Sequence, residues 1–204
     1  MYRGRAFIFV LFVLCCSATD NAFSEPTLKN ADSANKKSCV PSGDGFLRAR
    51  LKGSIQAELD WLDADTDCSG DVRPGSGIRM RFSHAFGPSP QRLVLVFGIP
   101  GLREGAPAKA LPVNVTIIRE GAGEFYGTRG DDKCTIDQLT QQPIVDKSGA
   151  TRRYRIIARG FCTQPARAVT GNGSIYISRF DFLGWVNFTD EEGESDVPVV
   201  ASEK

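Results

Sequence analysis

Histidine is almost absent from this sequence, and His84 is its only example. Serine and cysteine nucleophiles usually depend on a neighbouring imidazole as general base. No Gly-x-Ser-x-Gly element accompanies His84, which directly follows a predicted strand. Cys-x-x-Cys pairs are also missing, which argues against a structural zinc site. The sequence therefore favours a non-enzymatic protein in which His84 is dispensable.

Carboxylate pairs offer an alternative to imidazole chemistry. Glu58 with Asp60, or Glu120 with Glu124, would suit a hydrolase that needs two carboxyl groups at a set separation across a cleft. Sequence spacing does not give that separation, and some pairs are expected by chance among 24 acidic residues. A hydrolase of envelope or extracellular polymers is therefore the alternative to a binding protein, and a structural assembly module is the third interpretation.

Only one long apolar run occurs, and it lies near the N-terminus. Residues 6–16 (AFIFVLFVLCC) follow a short basic start. The run matches the hydrophobic core of a signal peptide and is too short for a membrane span of about 20 residues. Small residues favour cleavage after Ser24, which makes residues 1–24 the signal peptide. Cleavage before Thr19 is the second choice.

Two cysteines at the end of this run raise the alternative of a lipoprotein. A lipidated cysteine normally follows Gly, Ala or Ser, whereas Cys15 follows Leu14 and Cys16 follows Cys15. A lipid anchor is therefore disfavoured. The sequence predicts a periplasmic or extracellular protein, with no transmembrane segment in the mature chain.

The other four cysteines agree with export, because disulfides persist in oxidising compartments. They are Cys39, Cys68, Cys134 and Cys162. Pairing the first with the second and the third with the fourth closes two short loops that do not cross. We therefore predict the disulfides Cys39–Cys68 and Cys134–Cys162.

Three segments follow the signal peptide. Residues 25–38 are polar and predict a flexible leader, residues 39–188 suit one domain with a sizeable core, and residues 189–204 predict an acidic disordered tail. Removing residues 1–24 takes away two basic residues and one acidic residue, which leaves a formally neutral chain. A neutral protein has no bulk field for polyanions, so nucleic acid is not an expected partner.

Strand-like alternation dominates the domain. Between residues 47 and 61 every odd position is apolar or small and every even position is polar or charged, which predicts one long strand with a bulge or bend at Gly53. Further strands are predicted around residues 78–82, 93–97, 113–118, 125–126, 153–159, 175–177 and 180–188. Residues 135–142 alone suggest a helical turn or two. With glycine and proline between short strands, the sequence predicts an all-β, antiparallel β-sandwich or partly open barrel with two disulfides.

Arginines recur on the polar sides of these strands. The candidate binding residues are Arg48, Arg50, Arg79, Arg81, Arg153 and Arg155. If their strands are neighbours, the guanidinium groups line one face, which would suit an acidic glycan, a lipid headgroup or a protein partner. The alternative is a solvated face on which the arginines pair across strands with residues such as Glu58 and Asp60.

An acidic loop is the candidate metal site. Its residues are Asp63, Asp65, Asp67 and Asp71. Acids at every second position resemble the way in which Ca²⁺ loops gather oxygens, so a weak calcium site is a hypothesis and no other cofactor is expected. Cys68 stands where an EF-hand loop needs glycine, and the alternative is an acidic β-turn. Taken together, the sequence predicts an exported, non-enzymatic module that binds a glycan, a lipid headgroup or a protein.

Overall fold

The computed structural model describes residues 39–145 and 152–188, all within one compact unit. The predicted signal peptide, leader and acidic tail lie outside the described residues. The strands are β1 (Phe46–Gly53), β2 (Ala57–Leu62), β3 (Asp67–Val72), β4 (Ile78–Ala85), β5 (Arg92–Ile99), β6 (Leu111–Glu120), β7 (Glu124–Gly127), β8 (Cys134–Pro143), β9 (Arg153–Cys162), β10 (Ala166–Ala168) and β11 (Ser174–Asn187). A 3-10 turn at Asp63–Asp65 joins β2 to β3. Within the described ranges, no helix is long and apolar enough to cross a membrane.

These strands join one sheet, antiparallel except for a single parallel bridge between Asp71 in β3 and Asn187 in β11. The hydrogen-bonded order is β10–β7–β6–β5–β4–β3–β11–β1–β2, and β8 and β9 link β6 to β11 by a second route. The long strand β11 connects the two routes, because it pairs with β1, β3, β9 and β10. The sheet therefore folds over into two layers, β2–β1–β11–β9–β8 and β3–β4–β5–β6–β7.

Aromatic rings fill the space between the two layers. Phe82 on β4 and Phe97 on β5 face Phe180 and Phe182 on β11. The ring centroid of Phe97 lies 4.9 Å from that of each β11 ring, and the Phe82 centroid lies 5.2 Å from that of Phe182. All four side chains are almost wholly buried. The predicted all-β, antiparallel fold is thus confirmed.

Residues 47–61 do not form the single long strand that was predicted. They form the hairpin β1–β2, in which the chain reverses after Gly53, a residue with φ of +115°. The register pairs Leu51 with Ala57, so odd residues of one strand face odd residues of the other. The apolar alternation therefore continues through the reversal unchanged, and period two alone cannot reveal the turn.

Residues 135–142 belong to strand β8 and not to a helical turn. The helix-like signal came from Ile136 and Leu139, which are three positions apart and both fully buried. A β-bulge between Ile136 and Gln138 explains this spacing, because the extra residue shifts the alternation by one position. The bulge thus gives a strand the apolar spacing of a helix.

Both predicted disulfides are confirmed. Cys39–Cys68 ties the segment before β1 to β3, on the other layer. Cys134 and Cys162 are directly opposite each other in the register of β8 and β9. The first disulfide therefore fixes the beginning of the domain, and the second joins β8 to β9.

Candidate functional site

The register across β2–β1–β11–β9–β8 sets the side chains that point away from the core phenylalanines in two adjacent rows, and we call this surface the outer face. The charged row, which ends in an amide, consists of Asp60, Arg48, Asp181, Arg159 and Gln138. The apolar row, which ends in a hydroxyl group and in which Leu183 is buried, consists of Leu62, Phe46, Leu183, Ile157 and Thr140. Each row takes one residue from each strand, because opposed residues of antiparallel strands lie on the same side of the sheet.

Ion pairs neutralise the β1–β2 end of the outer face. The Arg48 Nε donates to Asp60 Oδ1 at 2.9 Å, and its Nη1 lies 3.8 Å from Asp181 Oδ2. The Arg50 Nη2 donates to Glu58 Oε1 at 2.7 Å. This hydrogen bond, together with the Arg50 charge, lowers the pKa of Glu58 from its ordinary value. Because the side chains are exposed, such pairs contribute little to the stability of the fold.

A depression of about 230 Å³ opens where the two rows meet. It is lined by Phe46, Gln138, Thr140, Ile157, Ala158, Arg159 and Asp181. A second depression of about 330 Å³ lies on the β1–β2 side, and Asp181 lines both. Asp181 on β11 therefore lies between the two depressions.

The side chains around the first depression are chemically mixed. Arg159 is exposed, and its side chain makes no hydrogen bond or ion pair with any other residue in the described part of the chain. Gln138 and Thr140 offer both donors and acceptors beside it, and Asp181 offers acceptors. The Arg48 guanidinium carbon lies 4.6 Å from the ring centroid of Phe46. The arrangement provides hydrogen-bonding groups of both kinds next to apolar surface.

Four of the predicted binding arginines lie on strands of the outer face. They are Arg48 and Arg50 on β1, and Arg153 and Arg155 on β9. Arg155 forms an ion pair with Asp44, and its Nη1 donates to Gln142 Oε1 at 3.4 Å. Of these four, Arg48, Arg50 and Arg155 are therefore held by acidic or amide groups of the protein itself.

The other two predicted arginines, Arg79 and Arg81, lie on β4 in the opposite layer. Strands β3 and β11 separate β4 from β1 in the hydrogen-bonded order. The Arg81 Nη2 lies 3.2 Å from Glu120 Oε1, and its Nη1 donates to the Ser83 hydroxyl at 3.3 Å. The condition for one arginine-lined face, that the three strands are neighbours, is therefore not met.

The acidic loop divides its side chains between different partners. Asp63 is only 8% exposed, and its Oδ1 accepts the backbone N–H of Val40 at 2.9 Å and that of Gly45 at 3.1 Å. Asp67 opens β3 and forms an ion pair with Arg92. Among the described residues, no group of three or more His, Cys, Asp or Glu side chains is placed to hold a metal ion. Asp65 and Asp71, the other predicted ligands, do not join Asp63 and Asp67 in such a group.

His84 lies within β4, so that strand extends further than its alternation predicted. Its ring stacks on Trp61 with centroids 5.2 Å apart and an interplanar angle of 15°. The Nδ1 atom is 2.7 Å from the Ala85 carbonyl oxygen. These contacts give His84 a packing role against the buried Trp61.

The carboxylate pairs considered for hydrolysis are tied to arginines. Glu58 binds Arg50, and Glu124 lies 3.6 Å from Arg119. A general acid of a glycosidase needs a raised pKa, whereas the pKa of Glu58 is lowered. This geometry suits ion pairing across strands.

Sequence reasoning missed most of the depression. Gln138 was hidden by the bulge in β8, and Phe46 lies at the start of β1, just before the alternating run that was analysed. One signal was present for Asp181, a lone acid between Phe180 and Phe182. A single charge between two core residues marks the solvent side of a strand.

Comparison with known protein families, curated proteins and solved structures finds no match for this chain. The interpretation of the outer face therefore depends on its own geometry. That geometry describes a shallow, chemically mixed depression on the outer face of the sheet.

Proposed function

We propose that this protein is an exported, non-enzymatic binding module that holds a neutral glycan on its outer face. The carrying observation is the mixed lining of the depression at Asp181. Arg159, Gln138 and Thr140 supply hydrogen-bond donors, Asp181 supplies acceptors, and Phe46 supplies apolar surface. Sugar hydroxyl groups donate and accept hydrogen bonds, and sugar rings also present C–H faces that pack on apolar side chains.

The charge balance favours a neutral ligand over the acidic glycan or lipid headgroup that the arginine pattern suggested. Arg48 and Arg50 already bind Asp60 and Glu58, so an anion would have to displace a carboxylate from each. Arg159 has no such partner, but it lies directly opposite Asp181 in the register of β9 and β11, so an anion bound to it would lie beside that carboxylate. Displacement gives up one ion pair for each new one, and it leaves a carboxylate beside the incoming anion. A neutral hydroxyl group avoids this conflict, because it can bridge the guanidinium and the carboxylate together.

The shared position of Asp181 suggests the shape of the ligand. The depression beside β9 has room for a single small ring, and the depression beside β1 lies on the other side of Asp181. An extended oligosaccharide would place neighbouring sugar units in the two depressions. We therefore expect affinity to rise from a monosaccharide to a short linear chain.

Export and the non-enzymatic character are the other parts of the proposal. The two disulfides support an oxidising compartment. The lowered pKa of Glu58 gives less support to the carboxylate-dependent hydrolase. The structural assembly module ranks below both, because assembly does not require the mixed hydrogen-bonding chemistry of the depression.

The test begins with an array of neutral and acidic glycans probed with the purified mature protein. Calorimetry on the best neutral glycan should then give an affinity that is insensitive to added salt, since no net ion pair forms. Binding only to acidic glycans, with strong salt dependence, would contradict the proposal. Release of shortened glycan products would point to the hydrolase instead.

A double variant assigns the binding to the depression. Arg159→Ala with Gln138→Ala removes two hydrogen-bonding groups, each worth about 0.5–1.5 kcal/mol, so affinity should fall by about fivefold to 150-fold. The matched control is Arg129→Ala with Gln164→Ala, which removes the same residue types from exposed loops. Equal affinities of the two double variants would place the glycan elsewhere.

A further inference from the structure

A second surface, separate from the depression at Asp181, carries exposed apolar side chains. Phe125, Val169 and Tyr176 are 47%, 68% and 36% exposed. They account for three of the six large hydrophobic side chains that are exposed in the described part of the chain. We call this surface the belt, and define it by Phe125, Val169, Arg167, Tyr176 and Lys52.

Strand pairing makes the belt continuous. The Val169 N–H donates to the Phe125 carbonyl oxygen at 2.8 Å, which brings β7 and the end of β10 side by side. Arg167 is two residues before Val169 and is paired with Ser174 on β11. Tyr176 is two residues after Ser174 and is paired with Lys52 on β1. Because residues two apart in a strand share a face, and Arg167 is also paired with Gly127 two residues after Phe125, the side chains of Phe125, Arg167, Tyr176 and Lys52 share one face. Val169 lies just past the end of β10, beside Phe125.

The two cations of the belt differ from the arginines of the outer face. Lys52 and Arg167 are exposed, and neither makes an ion pair or side-chain hydrogen bond within the described ranges. The nearby acids are already engaged by other groups. Glu124 Oε1 lies 3.6 Å from Arg119 Nη1, its Oε2 accepts the Tyr126 hydroxyl at 3.2 Å, and Glu58 binds Arg50.

Unpaired cations between exposed aromatic and aliphatic side chains match the chemistry of a membrane interface. Aromatic rings lie at the headgroup level, aliphatic side chains enter the acyl boundary, and lysine and arginine meet lipid phosphates. A glycan would not explain the apolar surface of Val169, which is the most exposed of the three apolar side chains of the belt. We propose that the belt docks this protein on a membrane surface rich in anionic lipid.

Docking of this kind is peripheral and reversible. The belt offers three apolar side chains and two cations, so its contribution comes from shallow insertion together with electrostatic attraction. Binding should therefore require anionic lipid and weaken as salt is added.

Vesicle flotation with the full chain tests the proposal. We expect co-flotation with vesicles of phosphatidylcholine mixed with phosphatidylglycerol, and little with phosphatidylcholine alone. Lys52→Gln with Arg167→Gln should weaken binding to the mixed vesicles by about 25-fold, at about fivefold for each cation lost near the surface. Phe125→Gln with Val169→Ser should weaken it as well, while leaving its salt dependence in place.

Matched variants control for general effects of charge and hydrophobicity. Arg103→Gln with Lys109→Gln removes two exposed cations from the loop between β5 and β6, and Leu62→Ser with Val145→Ser removes two exposed apolar side chains. Both controls should float like the wild type, and each belt variant should keep the melting temperature of the wild type. Equal loss in the controls and the belt variants would overturn the proposal. Equal binding to neutral and anionic vesicles would also overturn it. A lack of flotation accompanied by binding to polyglutamate would overturn it as well, and would assign the belt to an acidic protein partner.

Discussion

The two sides of β11 have different chemistry. On the inner side, Phe180 and Phe182 pack against Phe97 with no polar contact, and all three rings are almost wholly buried. On the outer side, Arg179 and Asp181 stand exposed beside the depression. Burial of apolar surface stabilises a fold strongly, whereas exposed ion pairs contribute little. Stability and recognition should therefore separate cleanly when single residues on the two sides are changed.

The largest effect is expected on the inner side. Phe97→Ala removes the ring that contacts both β11 phenylalanines and leaves a cavity, so the free energy of unfolding should fall by about 3–5 kcal/mol. Urea unfolding at neutral pH measures it, with Phe97→Leu as the conservative control. If Phe97→Ala lowered the free energy of unfolding by less than the outer-side variants do, the contrast between the two sides of β11 would be wrong.

A smaller effect is expected within the acidic loop. Asp63→Ala leaves the backbone N–H groups of Val40 and Gly45 without this acceptor, which should lower the free energy of unfolding by about 1–3 kcal/mol. Asp71→Ala, at an exposed position of β3, should change it by no more than about 0.5 kcal/mol.

The same pair of variants bears on the calcium hypothesis. Because Asp63 is occupied by two backbone groups, we expect wild-type melting temperatures to agree in EDTA and in excess Ca²⁺. If excess Ca²⁺ raises the melting temperature of the wild type but not that of Asp71→Ala, the result would instead support the predicted metal site.

On the outer side, Asp181→Asn should separate recognition from stability. It removes one acceptor charge from the position between the two depressions, so glycan affinity should fall by about tenfold. The free energy of unfolding should change by no more than about 0.5 kcal/mol, because the side chain is exposed. Calorimetry and urea unfolding on the same sample measure both quantities, and a large loss of stability would show that the outer side also holds the fold.

The sequence predicted what depends on local order. Alternation correctly marked the buried sides of β1 and β4, and cysteine order was sufficient for both disulfides. The alternation could not show that β1 and β2 form a hairpin, because odd residues remain on the buried side before and after the turn. The depression depends on long-range register, which sets Asp181 between Arg48 and Arg159 from distant parts of the chain. Such pairings leave no trace in a local pattern.

The smallest effect expected on the outer side depends on pH. The hydrogen bond and charge of Arg50 lower the pKa of Glu58 in the folded state below its ordinary value of 4.5. The ion pair therefore contributes its full stability above about pH 4.5, and the contribution is lost as the pH falls through the lowered, folded-state pKa. The stability difference between the wild type and Glu58→Gln should be small near neutral pH, because solvent screens the exposed pair. It should shrink further in acid or in added salt. Urea unfolding of both proteins across this pH range measures the difference, whereas the loss caused by Phe97→Ala should stay nearly constant with pH. A Glu58→Gln difference that grows in acid would mean that folding raises the pKa of Glu58, which would return this carboxylate to the candidates for acid catalysis.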